Sequence, residues 1–198
     1  MSLFQYNIDA FRAINDLGKQ YPSLEPMIIF VAEYTVYFLA LLMLFYWFTG
    51  SKQNRMMMIH SMFAFILAEV IGKTVGLFHS NHQPFAVLSD VNQLVQHEID
   101  NSFPSDHTIL FFSICTSIWL VRKKEGWIWM ILACCVATSR ILVGVHYPLD
   151  VAVGALIGIL SAVFVYKFAP KMSFIKQLLS LYEKIESNVL PAKKQMKN

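Results

Sequence analysis

Charged residues are scarce in this chain. Lys, Arg, Asp and Glu make up 15% of it, against about 25% in an ordinary soluble domain. Between positions 74 and 121 there is no Lys or Arg at all. The chain is also 56% hydrophobic and 14% aromatic. Together these features exclude an ordinary soluble domain, and a net charge of +3 gives no sign of nucleic-acid binding. Cysteine is nearly absent: Cys115, Cys134 and Cys135 all fall inside apolar stretches. Their odd number and lack of ligand spacing argue against a redox or metal role and for small buried hydrophobes. Asp9, Arg12, Asp16, Lys19 and Glu25 break residues 1–26, so no cleavable signal peptide is expected. No internal repeat is visible.

The chain does contain long apolar runs. A membrane span needs about 20 predominantly apolar residues, and five segments qualify: 27–48, 56–78, 106–121, 127–145 and 150–169. The expected fold is all-α, a polytopic membrane bundle of about five spans. Residues 3–16 have helical apolar spacing but too many charges to cross, so they predict a helix lying in the interface. Residues 173–190 look similar, with Phe174, Leu178, Leu181 and Ile185 on one side. The expected division is an integral membrane domain over 1–170 and a cytoplasmic, amphipathic basic tail over 171–198. Cations sort by loop: Lys52 and Arg55 lie in one, Arg122, Lys123 and Lys124 in another, and Lys167 with six further lysines at the C-terminus. The positive-inside rule puts these in the cytoplasm and puts the 79–105 loop, the 145–150 turn and the N-terminal segment outside. Trp119, Trp127 and Trp129 flank the cytoplasmic 121–126 loop as interface anchors.

Two phrases carry chemistry: Phe103-Pro-Ser-Asp-His107, and Ser139-Arg-Ile-Leu-Val-Gly-Val-His-Tyr-Pro-Leu-Asp150. Arg140 is costly at the end of an apolar helix unless it serves something, and a guanidinium can fork onto two phosphate oxygens. His146 and Asp150 lie four apart; a carboxylate accepting one imidazole N–H leaves the other nitrogen basic and aimed. Taken alone, that pair reads equally well as a loop histidine beside a helix-capping aspartate. Ser105 to His107 enter a helix whose free amides can bind an anion, and His107 can hold a proton for a leaving oxygen. The plain alternative is a serine cap beside a surface histidine. Lys73, one turn after Glu69 inside an apolar stretch, is a functional candidate or a lysine that snorkels to the interface. Glu33 inside the first span is expected to face the bundle and either pair with a basic group near the site or bind a backbone donor or water. His60 is expected to be structural. His79, His82 and His97 share a loop with Asp90, Glu98 and Asp100, but their spacing matches no known metal-ligand set.

These motifs resemble the type 2 phosphatidic acid phosphatase superfamily. Its pattern is a lysine followed by Arg-Pro, then Pro-Ser-Gly-His, then Ser-Arg, five residues, His, three residues, Asp. The third part matches in full from Ser139 to Asp150, and the second matches as Pro104-Ser105-Asp106-His107, with Asp106 where glycine is usual. The first departs: ten residues after Lys73, Gln83-Pro84 stands where Arg-Pro is expected. Within the superfamily, the F-P-S-D-H variant, the short length and the G-V-H-Y-P-L-D ending resemble the bacitracin-resistance type of undecaprenyl pyrophosphate phosphatase. The resemblance implies His146 as nucleophile, Asp150 as its orienting partner and His107 as the proton donor. It implies Arg140, Ser105, Lys73, Gln83 and the backbone of Asp106 as phosphate contacts. The scheme calls for no cofactor or metal. The implied partners are a polyprenyl diphosphate lipid and the bilayer, with the site outside a bacterial cytoplasmic membrane and the oligomeric state left open. Other readings are a phosphatase of another lipid phosphate, such as phosphatidylglycerol phosphate, or a small membrane transporter whose path runs through Glu33, Glu69, Lys73 and Arg140.

Overall fold

The structure is a computed structural model that describes residues 2–49 and 51–168, with isolated positions 177, 180, 181 and 184. The helix expected over 173–190 and the tail over 171–198 lie outside the described residues, apart from those four positions. Helix α1 spans Leu3–Gln20, with Ser2 capping its first turn. A continuous helical stretch, Pro22–Phe48, follows. It comprises a 3-10 turn, α2 (Glu25–Ile29), a π turn at Phe30–Tyr34 and α3 (Thr35–Phe48). After it come α4 (Lys52–Phe78), the single turn α5 (Pro84–Val87), α6 (Asp106–Val121), α7 (Lys123–Leu142) and α8 (Pro148–Phe168). Pro22–Phe48, α4, α7 and α8 are each long and apolar enough to cross a membrane. The fold is the expected all-α membrane bundle. Its spans start up to five residues before the expected positions, and the fourth ends at Leu142. There Gly144 reverses the chain with φ +85, backed against the carbonyl of Asn92, a conformation open to glycine at no steric cost.

The fifth apolar helix, α6, has only 16 residues, about 24 Å at 1.5 Å per residue, short of a hydrocarbon layer of about 30 Å. It is the centre of the bundle, in contact with α4, α7 and α8. A helix apolar on all sides is buried on all sides, and Thr108, Ile109 and Phe111 through Ile118 are all buried. Protein therefore surrounds it, and its length need not match the bilayer. Helix α8 packs closely on it through Gly154 and Gly158. A Cβ at Gly154 would come within 2.9 Å of the Ser105 carbonyl oxygen, and one at Gly158 within 2.9 Å of the Ser113 amide. Small residues four apart allow such backbone contact between membrane helices.

Helix α1 lies across one end of this bundle. Phe11 is fully buried with its ring 5.6 Å from that of Tyr147. Asn15, also fully buried, donates to the carbonyls of Asn92, Ile141 and Leu142 at 3.0–3.2 Å and accepts from the Asn92 amide. That one amide ties α1, the 88–95 segment and the last turn of α7 together. At the rim, Lys19 holds the Asp90 carboxylate at 2.8 Å. The hydrogen bond and the lysine's charge keep that exposed carboxyl below its usual pKa. The expectation for cysteine holds in part. Cys115 is buried in the core, but Cys134 and Cys135 are exposed on the outward side of α7.

Candidate active site

Four chain segments meet at the end of the bundle that α1 covers. Helix α8 starts at Pro148, whose fixed φ and missing N–H suit a first helical position. Asp150 reaches back so that its Oδ2 accepts the Tyr147 amide at 2.8 Å, the reciprocal half of a capping box. The capping reading of Asp150 therefore holds alongside the catalytic one. Tyr147 is fully buried, and burial pushes its phenol above the usual pKa.

His146 is 7% exposed. Its Nδ1 sits 2.9 Å from the backbone oxygen of Ser102, so the Nδ1–H donates there and the tautomer is fixed. Nε2 has no partner among the described residues. Here the structure differs from expectation. Asp150 Oδ2 is 3.7 Å from Nδ1, too far for a hydrogen bond. The Ser102 hydroxyl stands between them: it donates to Asp150 Oδ2 and lies 3.3 Å from Nδ1. Asp150 thus acts on His146 through Ser102, because its oxygen is held by the start of α8 and by that hydroxyl. The sequence reading missed Ser102. A serine in a polar loop carries no periodicity or pairing signal.

Helix α6 supplies the second wall. The Ser105 amide donates to the Asp150 carbonyl at 3.2 Å, which takes it away from any ligand. The amides of Asp106, His107 and Thr108 have no acceptor among the described residues, as expected of a helix start. The buried Ser105 hydroxyl accepts from Thr108 at 3.0 Å and caps nothing, so its own proton is unused. The His107 ring has no hydrogen-bond partner among the described residues and lies within electrostatic reach of Arg140, His146 and His97.

Arg140 comes from the last turn of α7 and is 1% exposed. Its Nη1 donates to the Ala32 carbonyl at 3.0 Å and to Glu33 Oε1 at 2.9 Å. Both acceptors lie in the π turn, where a wider helical ring presents groups that a regular α-helix would keep to itself. Of the outcomes left open for Glu33, the structure has the pairing with a base. Arg140 Nε is buried with no hydrogen-bond partner among the described residues. A buried, unpaired donor on a charged group is costly, and a phosphate oxygen would complete it.

The remaining candidates stand apart. Lys73 and Asp106 are exposed and line a separate cavity of about 330 Å³ with Asn101, Phe103 and Pro104. Asp106 lines that cavity, with its amide left at the start of α6. Gln83 is fully buried, and its amide is fully occupied. Nε2 donates to the Glu98 carbonyl at 3.2 Å and to the Asp100 carboxylate, and Oε1 accepts the Asp100 amide at 3.1 Å. It pins the 98–101 segment beside His82 and has no free donor for a phosphate. His60 lies in α4, on the half of the bundle away from the site. Among the described residues, no three His, Cys, Asp or Glu side chains gather closely enough to hold a metal ion.

Comparison with known proteins agrees with the motif reading. Residues 58–173 match the model of the PAP2 superfamily. The bacitracin transport permease protein BcrC of Bacillus licheniformis is 60% identical over 98% of this chain and 95% of its own. The undecaprenyl-diphosphatase BcrC of Bacillus subtilis strain 168 is 31% identical over 90% of this chain and 93% of its own. Among solved structures, LpxE of Aquifex aeolicus superposes with a TM-score of 0.72 at 32% identity, over 82% of this chain and 95% of that one.

Proposed function

The chain belongs to the PAP2 superfamily, and from that membership and the geometry above we propose that it hydrolyses undecaprenyl diphosphate to undecaprenyl phosphate and phosphate. One observation carries the reading. His146 is held by Nδ1 with Nε2 free, at the same end as an arginine whose buried Nε lacks a partner. His146 Nε2 attacks the terminal phosphorus. The bond from that phosphorus to the bridging oxygen breaks, and its electron pair leaves on undecaprenyl phosphate with a proton from His107. Arg140, the Ser105 hydroxyl and the amides at 106–108 hold the nonbridging oxygens and stabilise the charge that spreads over them. The phosphorylated imidazole is a cation, and the Ser102 carbonyl, with Asp150 behind the Ser102 hydroxyl, balances it. His107 then takes a proton from water, the water oxygen attacks phosphorus, and the P–N bond breaks to return neutral His146.

The orientation is part of the proposal. Lys52, Arg122, Lys123 and Lys167 lie at the end of the bundle away from the site, so the positive-inside rule supports a site on the outer face of the cytoplasmic membrane. A second reading has one specific support, the transport name of the 60% identical relative. Against it, His107, His146 and Asp150 sit at helix ends, whereas transporters place their sites near the midplane.

The test is phosphate release from undecaprenyl diphosphate by purified protein with chelator present, beside His146→Ala, with the phosphoprotein trapped on the way. Expected are release by wild type, none by the variant, and an acid-labile, alkali-stable phosphoprotein in wild type only. Normal turnover by His146→Ala would end the nucleophile assignment. No release by wild type from this lipid or from phosphatidylglycerol phosphate would favour transport.

A further inference from the structure

A groove of about 500 Å³ runs along the outside of the bundle between the first span and α7. Ile28 and Val31 form one wall, and Ile131, Cys135, Thr138 and Leu142 form the other. The α7 residues recur at helical spacing, so the groove follows that helix from its middle to the turn that carries Arg140. It exists because the first span meets α7 through α2 and the π turn, and below them α3 packs against α4. We propose that this groove holds the first isoprenoid units of the lipid substrate and so fixes where the diphosphate lies; this rests on the phosphatase reading above.

Three observations favour the substrate's own chain as occupant. The groove is continuous with the site: Val31 precedes the Ala32 carbonyl and Glu33 carboxylate that grip Arg140, and Ser139, also on the lining, precedes Arg140 itself. Two other seams of the site are closed to hydrocarbon. Helices α6 and α8 touch through Gly154 and Gly158, and α4 is pressed onto Pro104 and Ile109 through Gly72 and Gly76. The neighbouring cavity beside α4 carries Lys73 and Asp106 on its walls, which suits charge and not a polyprenyl chain. Finally, the volume lies in the range of small-molecule sites, about 300–1,000 Å³, and the lining is apolar except for Thr138 and Ser139.

A second groove of about 530 Å³, between α3 and α4, has the same chemistry but touches no site residue; Ala40, Met43, Trp47, Met58 and Met62 line it. It serves as the internal control. Bilayer hydrocarbon is as apolar as either groove, so lodging a tail gains little from the hydrophobic effect. What the first groove supplies is position: a tethered head near His146 reacts faster than a loose one. The effect should therefore fall on kcat.

The experiment compares dimethylallyl, farnesyl and undecaprenyl diphosphates, with one, three and eleven isoprene units, on wild type, Thr138→Phe and Ala40→Phe. In wild type, kcat should rise with chain length. Thr138→Phe should cut the farnesyl-to-dimethylallyl kcat ratio about tenfold, and Ala40→Phe should leave it unchanged. An unaltered ratio in Thr138→Phe, or an equal fall in both variants, overturns the proposal. If wild type hydrolyses none of the three, the phosphatase reading itself has failed. Labelling guards against a misfolded variant. Cys134 and Cys135 are exposed on the groove side of α7, whereas Cys115 is buried. N-ethylmaleimide should label wild type at least threefold more slowly with undecaprenyl phosphate bound than with inorganic phosphate. Equal rates would count against a tail in this groove.

Discussion

Each end of the bundle carries an arginine in a polar network, and the two networks are built differently. At one end, Arg122 donates through Nε and Nη2 to both Glu125 oxygens at 2.9 and 2.8 Å and through Nη1 to Asn54 at 3.0 Å. Its guanidinium also lies over the Tyr46 ring at 5.3 Å. Every edge has a protein partner, and these contacts join α3, α4 and α7. At the other end, Arg140 is more deeply buried, yet among the described residues only its Nη1 is held, with Nε unpaired. A network that satisfies itself holds helices together. One that leaves a buried charged donor open is completed by something outside the chain. The same contrast separates the acids in the first turns of α7 and α8. Glu125 is matched by Arg122, whereas Asp150 serves its helix and, through Ser102, a histidine with a free nitrogen.

The sharpest way to break this comparison is to remove the open arginine. Arg140→Gln should lower kcat/KM for the lipid diphosphate by about 100- to 1,000-fold, the effect of losing a preorganised donor to transition-state charge. Arg140→Lys should recover only part, because an ammonium cannot fork across two oxygens. Steady-state phosphate release, with a thermal melt to confirm folding, decides it. Near-normal turnover by Arg140→Gln would make the unpaired Nε an accident of packing.

His107 comes next. Its ring has no hydrogen-bond partner among the described residues, so its truncation tests proton transfer rather than architecture. His107→Ala should cost about 100-fold on a lipid monophosphate, whose alkoxide leaving group needs a proton. On the diphosphate, where a far less basic phosphate departs, the cost should be only about tenfold. Equal losses on both substrates would remove the assignment of His107 as general acid.

A smaller effect is expected at Ser102. In Ser102→Ala the backbone carbonyl still orients Nδ1, and only the bridge to Asp150 is lost. A drop in kcat of about tenfold is expected with KM unchanged, since one hydrogen bond to a charged group is worth about 1.5–3 kcal/mol. Ser102→Thr should restore most of the rate. A change in KM alone would place Ser102 in the loop's architecture and not in the positioning of His146.

Ser102 also marks what the sequence could and could not disclose. Apolar run length is set by the bilayer, so the spans were legible to within five residues. His146, Arg140, His107 and Ser105 were singled out from residue type at short spacing and from the family resemblance, and the structure brings them to one end of the bundle. Four features were not legible. The Ser102 bridge depends on the path of a 27-residue loop. Glu33 was expected to meet a base, a backbone donor or water; that it meets Arg140 depends on a π turn that shifts the helical phase, and no apolar pattern encodes that in a uniformly apolar run. Gln83 looked like a phosphate donor because of its place in the motif, yet its amide closes its own loop. Cys134 and Cys135 looked buried because apolar runs in a membrane protein face lipid as readily as core.

The weakest predicted effect is also the control for the comparison. Arg122 makes three side-chain hydrogen bonds where Arg140 makes two, so a count of interactions would rank it as the more important residue. By the logic of satisfied networks, Arg122→Ala should leave kcat/KM within about twofold of wild type. The exposed ion pair contributes little in water-screened surroundings, so the cost should appear only as a melting temperature lower by about 2–4 °C. Phosphate release and a thermal melt on the same preparation read both quantities. A large loss of turnover at an unchanged melting temperature would mean that the far end communicates with the site along α7, which carries Glu125 near one end and Arg140 near the other. In that case the two ends could not be assigned separate roles.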